Sequence, residues 1–239
     1  MRFDGLDEAA LARLTGSPRA VLRDAVPSTQ DVLHLLAAEG APGGTLVLAE
    51  VQTAGRGRQG RRWESPRGTG LWLSVLLRPG APPAGGSLAI RTGLAIVEAL
   101  TAVAPVLGPR LKWPNDIMVA GRKAGGILCE ARWSGDTLGW IAVGVGINVH
   151  GPLDAAVQGR AIALSDVVNG ITRLAVLEAV APRIMALGAA PAELHPATQA
   201  RFLASRWPAT EKEVGGLAPD GALLMRRPDG TMHRRTDAD

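Results

Sequence analysis

Residues 55–71 read GRGRQGRRWESPRGTGL, and the first six place Gly55, Gly57 and Gly60 at the G-x-G-x-x-G spacing of a dinucleotide-binding turn. Such a turn follows a strand and opens a helix, because the pyrophosphate rests on the first amides of that helix. The strand is there, in GTLVLAEVQ over 44–52. The helix is not: Pro66, Gly68 and Gly70 interrupt the chain, and GLWLSVLLRP over 70–79 reads as a second strand. No Gly-Lys-Ser/Thr follows at P-loop spacing either. The stretch is a glycine- and arginine-rich loop between two strands, which excludes both nucleotide-binding α/β folds.

Working outward, AVLRDAV over 20–26 reads as a strand, and residues 1–20 as a short helix with its lead-in. STQDVLHLLAAEG over 28–40 reads as a helix with Ser28 or Thr29 at its N-cap and Gly40 at its end. A long, largely buried helix is expected over 85–103, and three or four strands over 109–150 with hairpin turns at AGRK (120–123) and SGDT (134–137). Helices are expected over 173–188, kinked at Pro182, and over 192–207. APDGALL (218–224) and RPDGTMH (227–233) are hairpin signals, so residues 208–239 read as a small all-β appendage to a main domain spanning 1–207. Helices set among hairpin-like strands, without regular β-α-β alternation, predict an α+β fold: a mixed β-sheet with helices largely on one face.

The 239 residues are 46% hydrophobic and 20% charged, enough to bury a sizeable core. No apolar run approaches the roughly 18 residues of a membrane span, and MRFDGLDEAALARLTG has no signal-peptide character, so a cytoplasmic location is expected. The single cysteine, Cys129, excludes an internal disulfide framework and a multi-cysteine zinc site, and within GGILCEA it reads as a small core residue. His34, His150, His195 and His233 are scattered and suggest neither a metal site nor a triad.

Charge is more informative. The net charge is +4, and Thr53–Arg67 alone holds five arginines against Glu64, which points to an anionic ligand. Of 26 basic residues only three are lysines, and two of them, Lys112 and Lys123, bracket KWPNDIMVAGRK together with Asn115. A chain that uses arginine almost everywhere keeps lysine where a compact point charge is needed. In the loop, glycines let the backbone approach an anion, guanidiniums neutralise phosphate and Trp63 can stack on a base. The plainer alternative is a solvated loop. Glycine content and like charge also predict that the loop stays open until a ligand arrives. A nucleic-acid-binding module would need aromatic platforms and a second basic cluster, and aromatics are only 3% of the chain.

Three stretches in order, AEVQTAGRGRQGRRWESPRGTGLWLS (49–74), LKWPNDIMVAGRKAGGILCE (111–130) and GVGINV (144–149), carry a resemblance. From about residue 26 to 150 the chain resembles the biotin-protein ligases, also called biotin-[acetyl-CoA-carboxylase] ligases. The resemblance implies a sheet akin to class II aminoacyl-tRNA synthetases, followed by a small SH3-like domain. It implies two reaction steps. Biotin attacks the α-phosphate of Mg-ATP to give biotinyl-5′-AMP and pyrophosphate; a lysine of a biotin carboxyl carrier protein, of acetyl-CoA carboxylase or a related carboxylase, then takes the biotinyl group and releases AMP. No nucleic-acid or membrane partner is implied. The nearest enzymatic alternative is a lipoate-protein ligase of the same superfamily.

By that resemblance the catalytic cations are Lys112, Arg58 and Arg56. Biotin would meet Ser28, Thr29, Gln30, Gln52, Arg56, Gly57, Arg58, Lys112 and Gly126, and the adenylate would meet Arg58, Arg61, Trp63, Lys123 and Asn148, with Trp63 on the adenine and Asn148 reading its amino group. Lys123 either contacts the intermediate or only terminates a hairpin. Asp116 either orients Lys112 or helps organise Mg2+. The chain departs from the pattern at Gln30, where many relatives have Asn, and at Gln59, where a basic residue is frequent. Residues 208–239 are short for an SH3-like domain. Only residues 1–26 precede Pro27, so the DNA-binding domain and repressor activity of bifunctional relatives are not expected.

Overall fold

The computed structural model describes residues 1–157 and 159–236 of the chain. Helix α1 (Glu8–Thr15) starts at Asp7, whose side chain accepts from Ala10 N, and stops at Gly16 in the left-handed conformation. Strand β1 (Ala20–Val26), helix α2 (Thr29–Ala38) and strand β2 (Leu46–Gln52) follow, with β1 and β2 parallel. The remaining strands of the main sheet are β3 (Gly70–Leu77), β4 (Arg110–Lys112), β5 (Asp116–Val119), β6 (Arg122–Ser134) and β7 (Thr137–Asn148). Their order is β1-β2-β3-β7-β6-β5-β4, antiparallel from β2 onward. The sheet is therefore mixed, as the α+β reading expects.

The two predicted turns set the register of half the sheet. Val119 faces Arg122 across Ala120 and Gly121, both at positive φ, which is the backbone of the two-residue turn whose twist matches the strands. Ser134 likewise faces Thr137 across Gly135 and Asp136. Beyond β3 the long helix α3 (Ser87–Val103) is buried along most of its length, and α4 (Arg173–Met185) contains Pro182 before running into a 3-10 turn. Helix α5 (Pro196–Ser205) starts later than the hydrophobic pattern suggested, because the His195 side chain caps it at Ala197 N.

Strand periodicity divides the core. Ile141, Val143, Val145 and Ile147 of β7, with Leu71, Leu73, Val75 and Leu77 of β3, face one side and bury against Leu11, Leu94, Val176 and Phe202 from α1, α3, α4 and α5. On the other side Val21, Val47, Leu76 and Ala142 meet Leu33, Leu36 and Ala37 of α2 and Ala41 just beyond it. One face is thus fully backed by helices and the other only partly. At the margin of the backed face the buried Arg173 bonds Glu50 at 2.9 Å and also holds Asp4, tying the N-terminal segment to β2. Breaking such a buried pair costs about 3–5 kcal/mol.

After α5, Arg206 and Trp207 join the edge of β4, with Trp207 N donating to Leu111 O at 2.9 Å. Strands β8 (Val214–Leu217), β9 (Leu223–Arg226) and β10 (Met232–Arg235) then form a separate antiparallel sheet in the order β10-β9-β8. Both hairpin signals of the tail fall at its turns; residues 237–239 lie outside the described residues. Among the described residues no helix is long and apolar enough to cross a membrane.

Candidate active site

The half-covered face of the sheet is where a ligand can enter. From residue 126 onward the even-numbered residues of β6, and those of β7, point to it, and Gly126, Gly144 and Gly146 among them leave a floor without side chains. The glycine floor, the N-terminal end of α2 and the arginine loop enclose a cavity of about 420 Å³. Ser28, Thr29, Gln30, Gln52, Arg56, Gly57, Arg58, Arg61, Trp63, Lys112, Asp116, Lys123 and Gly126 all line it. Asn148 does not. It is buried, and its amide donates toward Ile162 O at 3.4 Å, because it sits one step past Gly146, beneath the segment that follows β7.

At the inner end the polar groups hold one another. Ser28 Oγ caps α2 by accepting from Gln30 N at 3.3 Å, which settles which residue is the cap. Gln52 Oε1 accepts from Thr29 N at 2.9 Å and from Thr29 Oγ1 at 3.1 Å, and Gln52 Nε2 donates to Ser65 Oγ at 2.9 Å. Thr29 Oγ1 also meets Ser74 Oγ at 2.8 Å. Gln30 Nε2 donates to Leu128 O at 2.8 Å and lies 3.3 Å from Ala142 O. Two carbonyls require a nitrogen there, so the amide has one orientation, and Oε1 is left buried without a partner. A side chain at Gly144 would bring Cβ to 2.8 Å from Gln30 Nε2, so only glycine beneath it admits the longer amide.

The loop forms a closed hairpin. Gly57 N donates to Arg61 O at 2.7 Å and Trp63 N to Gly55 O at 2.9 Å, and a Cβ at Gly55 would overlap the Trp63 carbonyl. Part of its charge is met from other elements. Arg56 bonds Asp31 of α2 at 2.6 Å and Glu130 of β6 at 3.2 Å. Burial lowers the Arg56 pKa, but those two hydrogen bonds outweigh it and hold the guanidinium charged. Glu130 also receives His34 Nε2 at 3.0 Å, and Trp140 Nε1 donates to His34 Nδ1 at 2.9 Å. An indole nitrogen can only donate, so the neutral imidazole carries its proton on Nε2, aimed at the carboxylate. The His34 hydrogen bond first, then Arg56, keeps the Glu130 carboxyl below the usual range. Asp31, His34, Glu130 and Trp140 were not singled out from the sequence.

The outer wall is cationic and aromatic. Trp63 lies over the glycine floor: a Cβ on Gly146 would come within 2.5 Å of Nε1, and one on Gly126 within 3.1 Å of the ring. The ring meets Trp72 edge to face at 6.4 Å, and Trp63 Nε1 is buried without a partner. Lys123 Nζ sits 5.2 Å from the Trp63 ring centre and 2.6 Å from Asp116 Oδ1. Lys123 therefore both follows a hairpin turn and enters the cavity. Asp116, expected to orient Lys112 or organise Mg2+, lines the cavity and is paired with Lys123. Lys112 is its register neighbour across β4 and β5, but Lys112 Nζ lies over Trp207 at 5.5 Å. Among the described residues no group of three or more His, Cys, Asp or Glu could hold a metal ion.

Residues 22–148 match the model of the biotin/lipoate A/B protein ligase family. The chain belongs to that family. It is 41% identical over 131 residues to the bifunctional ligase/repressor BirA of Bacillus subtilis, a match covering 54% of this chain and 40% of the relative. It is 41% identical over 119 residues to the biotin--[acetyl-CoA-carboxylase] ligase of Paracoccus denitrificans, covering 49% and 50%. The matches thus take in half or less of these curated relatives. The solved structure of a mutant Aquifex aeolicus biotin protein ligase in complex with biotin superposes with a TM-score of 0.75 at 27% identity, over 91% of this chain and 94% of that one. The same protein in complex with biotin and ATP gives 0.72 at 25%, over 91% and 95%. In this member of the biotin/lipoate ligase family, the matched span supplies the glycine floor, the loop and both lysines. The small sheet that closes the cavity at Arg235 lies outside it.

Proposed function

We propose that this chain is a biotin-protein ligase, with residues 1–207 as the catalytic unit and 208–239 as an accessory, SH3-like β unit, acting in the cytoplasm. The observation that carries this reading is one cavity with two unlike ends: a buried hydrogen-bonding end where Gln30 Oε1 lacks a donor, and a cationic end roofed by Trp63. Biotin's cyclic urea offers N–H groups to Gln30 Oε1, within reach of Ser28, Thr29, Gln52 and the backbone at Arg56, Gly57 and Gly126. A dithiolane ring offers none. A lipoyl head group would leave that acceptor buried and unpaired, the kind of mismatch by which sites reject analogues strongly.

In the first step a carboxylate oxygen of biotin bonds to the α-phosphorus of ATP, and the bond from that phosphorus to the pyrophosphate oxygen breaks. Both partners are anionic, so Lys112, Arg58 and Arg61 offset their repulsion and the charge that develops on phosphorus. The Lys112 ammonium, on a flexible stem, follows the oxygen from substrate to mixed anhydride. Trp63 presents a ring face to adenine, with Lys123 beside it toward the adenylate. Arg56, matched by Asp31 and Glu130, serves by fixing the loop. Mg2+ enters with ATP, held by phosphates and water. In the second step the neutral amine of a carrier lysine attacks the acyl carbon, the bond to the phosphate oxygen breaks and AMP departs. The carrier is a biotin carboxyl carrier protein. Biotin-dependent release of pyrophosphate from ATP tests the reading. Release with lipoate and not biotin overturns the substrate assignment, and no release with either, together with salt-sensitive DNA binding, overturns the enzyme.

A further inference from the structure

Between α5 and the small sheet the chain crosses the edge of β4, and it does so beside Lys112. Leu111 and Arg206 form a parallel bridge, and Trp207 N donates to Leu111 O at 2.9 Å. The Leu111 side chain is fully buried on the helix-backed face, against Gly93 of α3. Successive residues of a strand point to opposite faces, so Lys112 and Trp207, each one step on from the bridged pair, stand side by side on the cavity side. Lys112 Nζ lies 5.5 Å from the centre of the Trp207 ring. Further bonds pin the crossing: Arg110 Nη1 donates to Ala204 O at 2.8 Å, and Arg206 donates to Pro208 O at 2.8 Å and to Glu211 O at 3.2 Å. The backbone therefore sets the place of the ring independently of the lysine.

The two cavity lysines differ in what holds them. Lys123 is paired with Asp116, whereas among the described residues the Lys112 ammonium has no carboxylate or hydrogen-bond partner and meets only the Trp207 ring. A lysine stem has many rotamers, and freezing them as a substrate binds costs affinity. An indole face attracts an ammonium and restricts it beforehand. The attraction occupies one side of the ammonium and leaves N–H bonds free for an oxygen in the cavity. Lys112 lines the cavity and Trp207 does not, so Trp207 reaches a substrate only through the lysine. We propose that Trp207 is a positioning residue that holds the Lys112 ammonium ready for the carboxylate before biotin arrives. This rests on the adenylation reading above, in which Lys112 meets that carboxylate. Trp207 lies outside residues 22–148, so the matched span supplies the lysine and the chain beyond it supplies the guide.

The chain has only three lysines, Lys112, Lys123 and Lys212, so isotopic labelling of lysine side chains gives three NMR signals, and K112A assigns one by removing it. Protons held over an aromatic face are shielded. In the ligand-free full chain the Lys112 ε-methylene protons are expected upfield of an exposed lysine's, at the ordinary position in W207L and still upfield in W207F. Calorimetry with biotin and with its uncharged carboxamide, alongside melting curves, then reads the consequence. W207L is expected to weaken biotin about fivefold and the carboxamide not at all, and W207F to keep most of the affinity. An ordinary Lys112 signal in the unaltered chain overturns the proposal, as does unchanged biotin affinity in W207L. So does an equal loss for biotin and carboxamide, which would mark Trp207 as packing for the edge of β4. If the unaltered chain shows the shifted signal and the W207L difference but no biotin-dependent pyrophosphate release, the adenylation reading falls and the guide to the lysine stands.

Discussion

Lys123 and Asp116 are joined at 2.6 Å, and the same ammonium lies 5.2 Å from the ring centre of Trp63. One carboxylate thereby fixes a cation against the proposed adenine platform. The pair is partly open to solvent, with side-chain exposures of 35% and 23%, so it adds no more than about 1 kcal/mol to stability. Its value lies in position. Asp116→Asn is expected to leave the melting temperature nearly unchanged while lowering kcat for biotin-dependent pyrophosphate release by about 100-fold, since small misplacements of reacting groups carry costs of that order. Equal losses in rate and stability would show that Asp116 acts in folding instead.

The anchor of the arginine loop has a pH signature. Glu130 is held below its ordinary value of 4.5, first by His34 and then by Arg56, so folding favours its carboxylate. A depressed carboxyl adds stability above its unfolded value and loses it as the pH falls through the folded one. The stability difference between the unaltered chain and Glu130→Gln is therefore expected to be level from pH 8 to about 5 and to shrink below 4.5. Chemical denaturation across that range checks it. At neutral pH the same substitution is expected to raise KM for biotin several-fold by loosening Arg56.

Local chemistry made much of this legible in advance. The break after Gly60 excluded a nucleotide fold and the two-residue turns set the β5-β6-β7 register, whereas the wall residues from Ser28 to Gly126, which share one cavity, were named by the resemblance. What the sequence concealed depends on distant pairing. Arg56 meets Glu130 across 74 positions, and Trp140 meets His34 across 106. Each is an ordinary residue of its own element. Glu130 does share strand parity with Gly126 and Leu128, and Asp31 and His34 are three apart on α2, so a search of the site face could have found them. Asn148 has the same parity as Gly146, yet lies too far along β7 to line the cavity. Arg235 belongs to the tail, where no motif pointed to the site.

Two glycines of one strand should separate the two substrates. A Cβ on Gly146 would come within 2.5 Å of the Trp63 indole, and one on Gly144 within 2.8 Å of the Gln30 amide. Gly146→Ala is expected to weaken ATP roughly tenfold, with a change in tryptophan fluorescence, while biotin binding holds. Gly144→Ala is expected to do the reverse. If both weaken the two ligands equally, the floor is not divided in this way.

Gln30 should set the choice of acid. It is buried, it bridges the backbones of β6 and β7 through Nε2, and it presents Oε1 with no partner. Gln30→Met keeps the length and removes both functions. Leaving Leu128 O and Ala142 O without that donor is expected to cost about 1–3 kcal/mol in denaturant unfolding. Losing the acceptor removes a bond that only an N–H-bearing head group can use, so kcat/KM for biotin is expected to fall while that for lipoate, however low, does not. The quantity to compare is the ratio of the two kcat/KM values in pyrophosphate release. A ratio that narrows by tenfold or more assigns the selectivity to this amide, because stability loss alone lowers both values together. A ratio that does not move removes Gln30 from substrate choice and leaves it as a tie between strands.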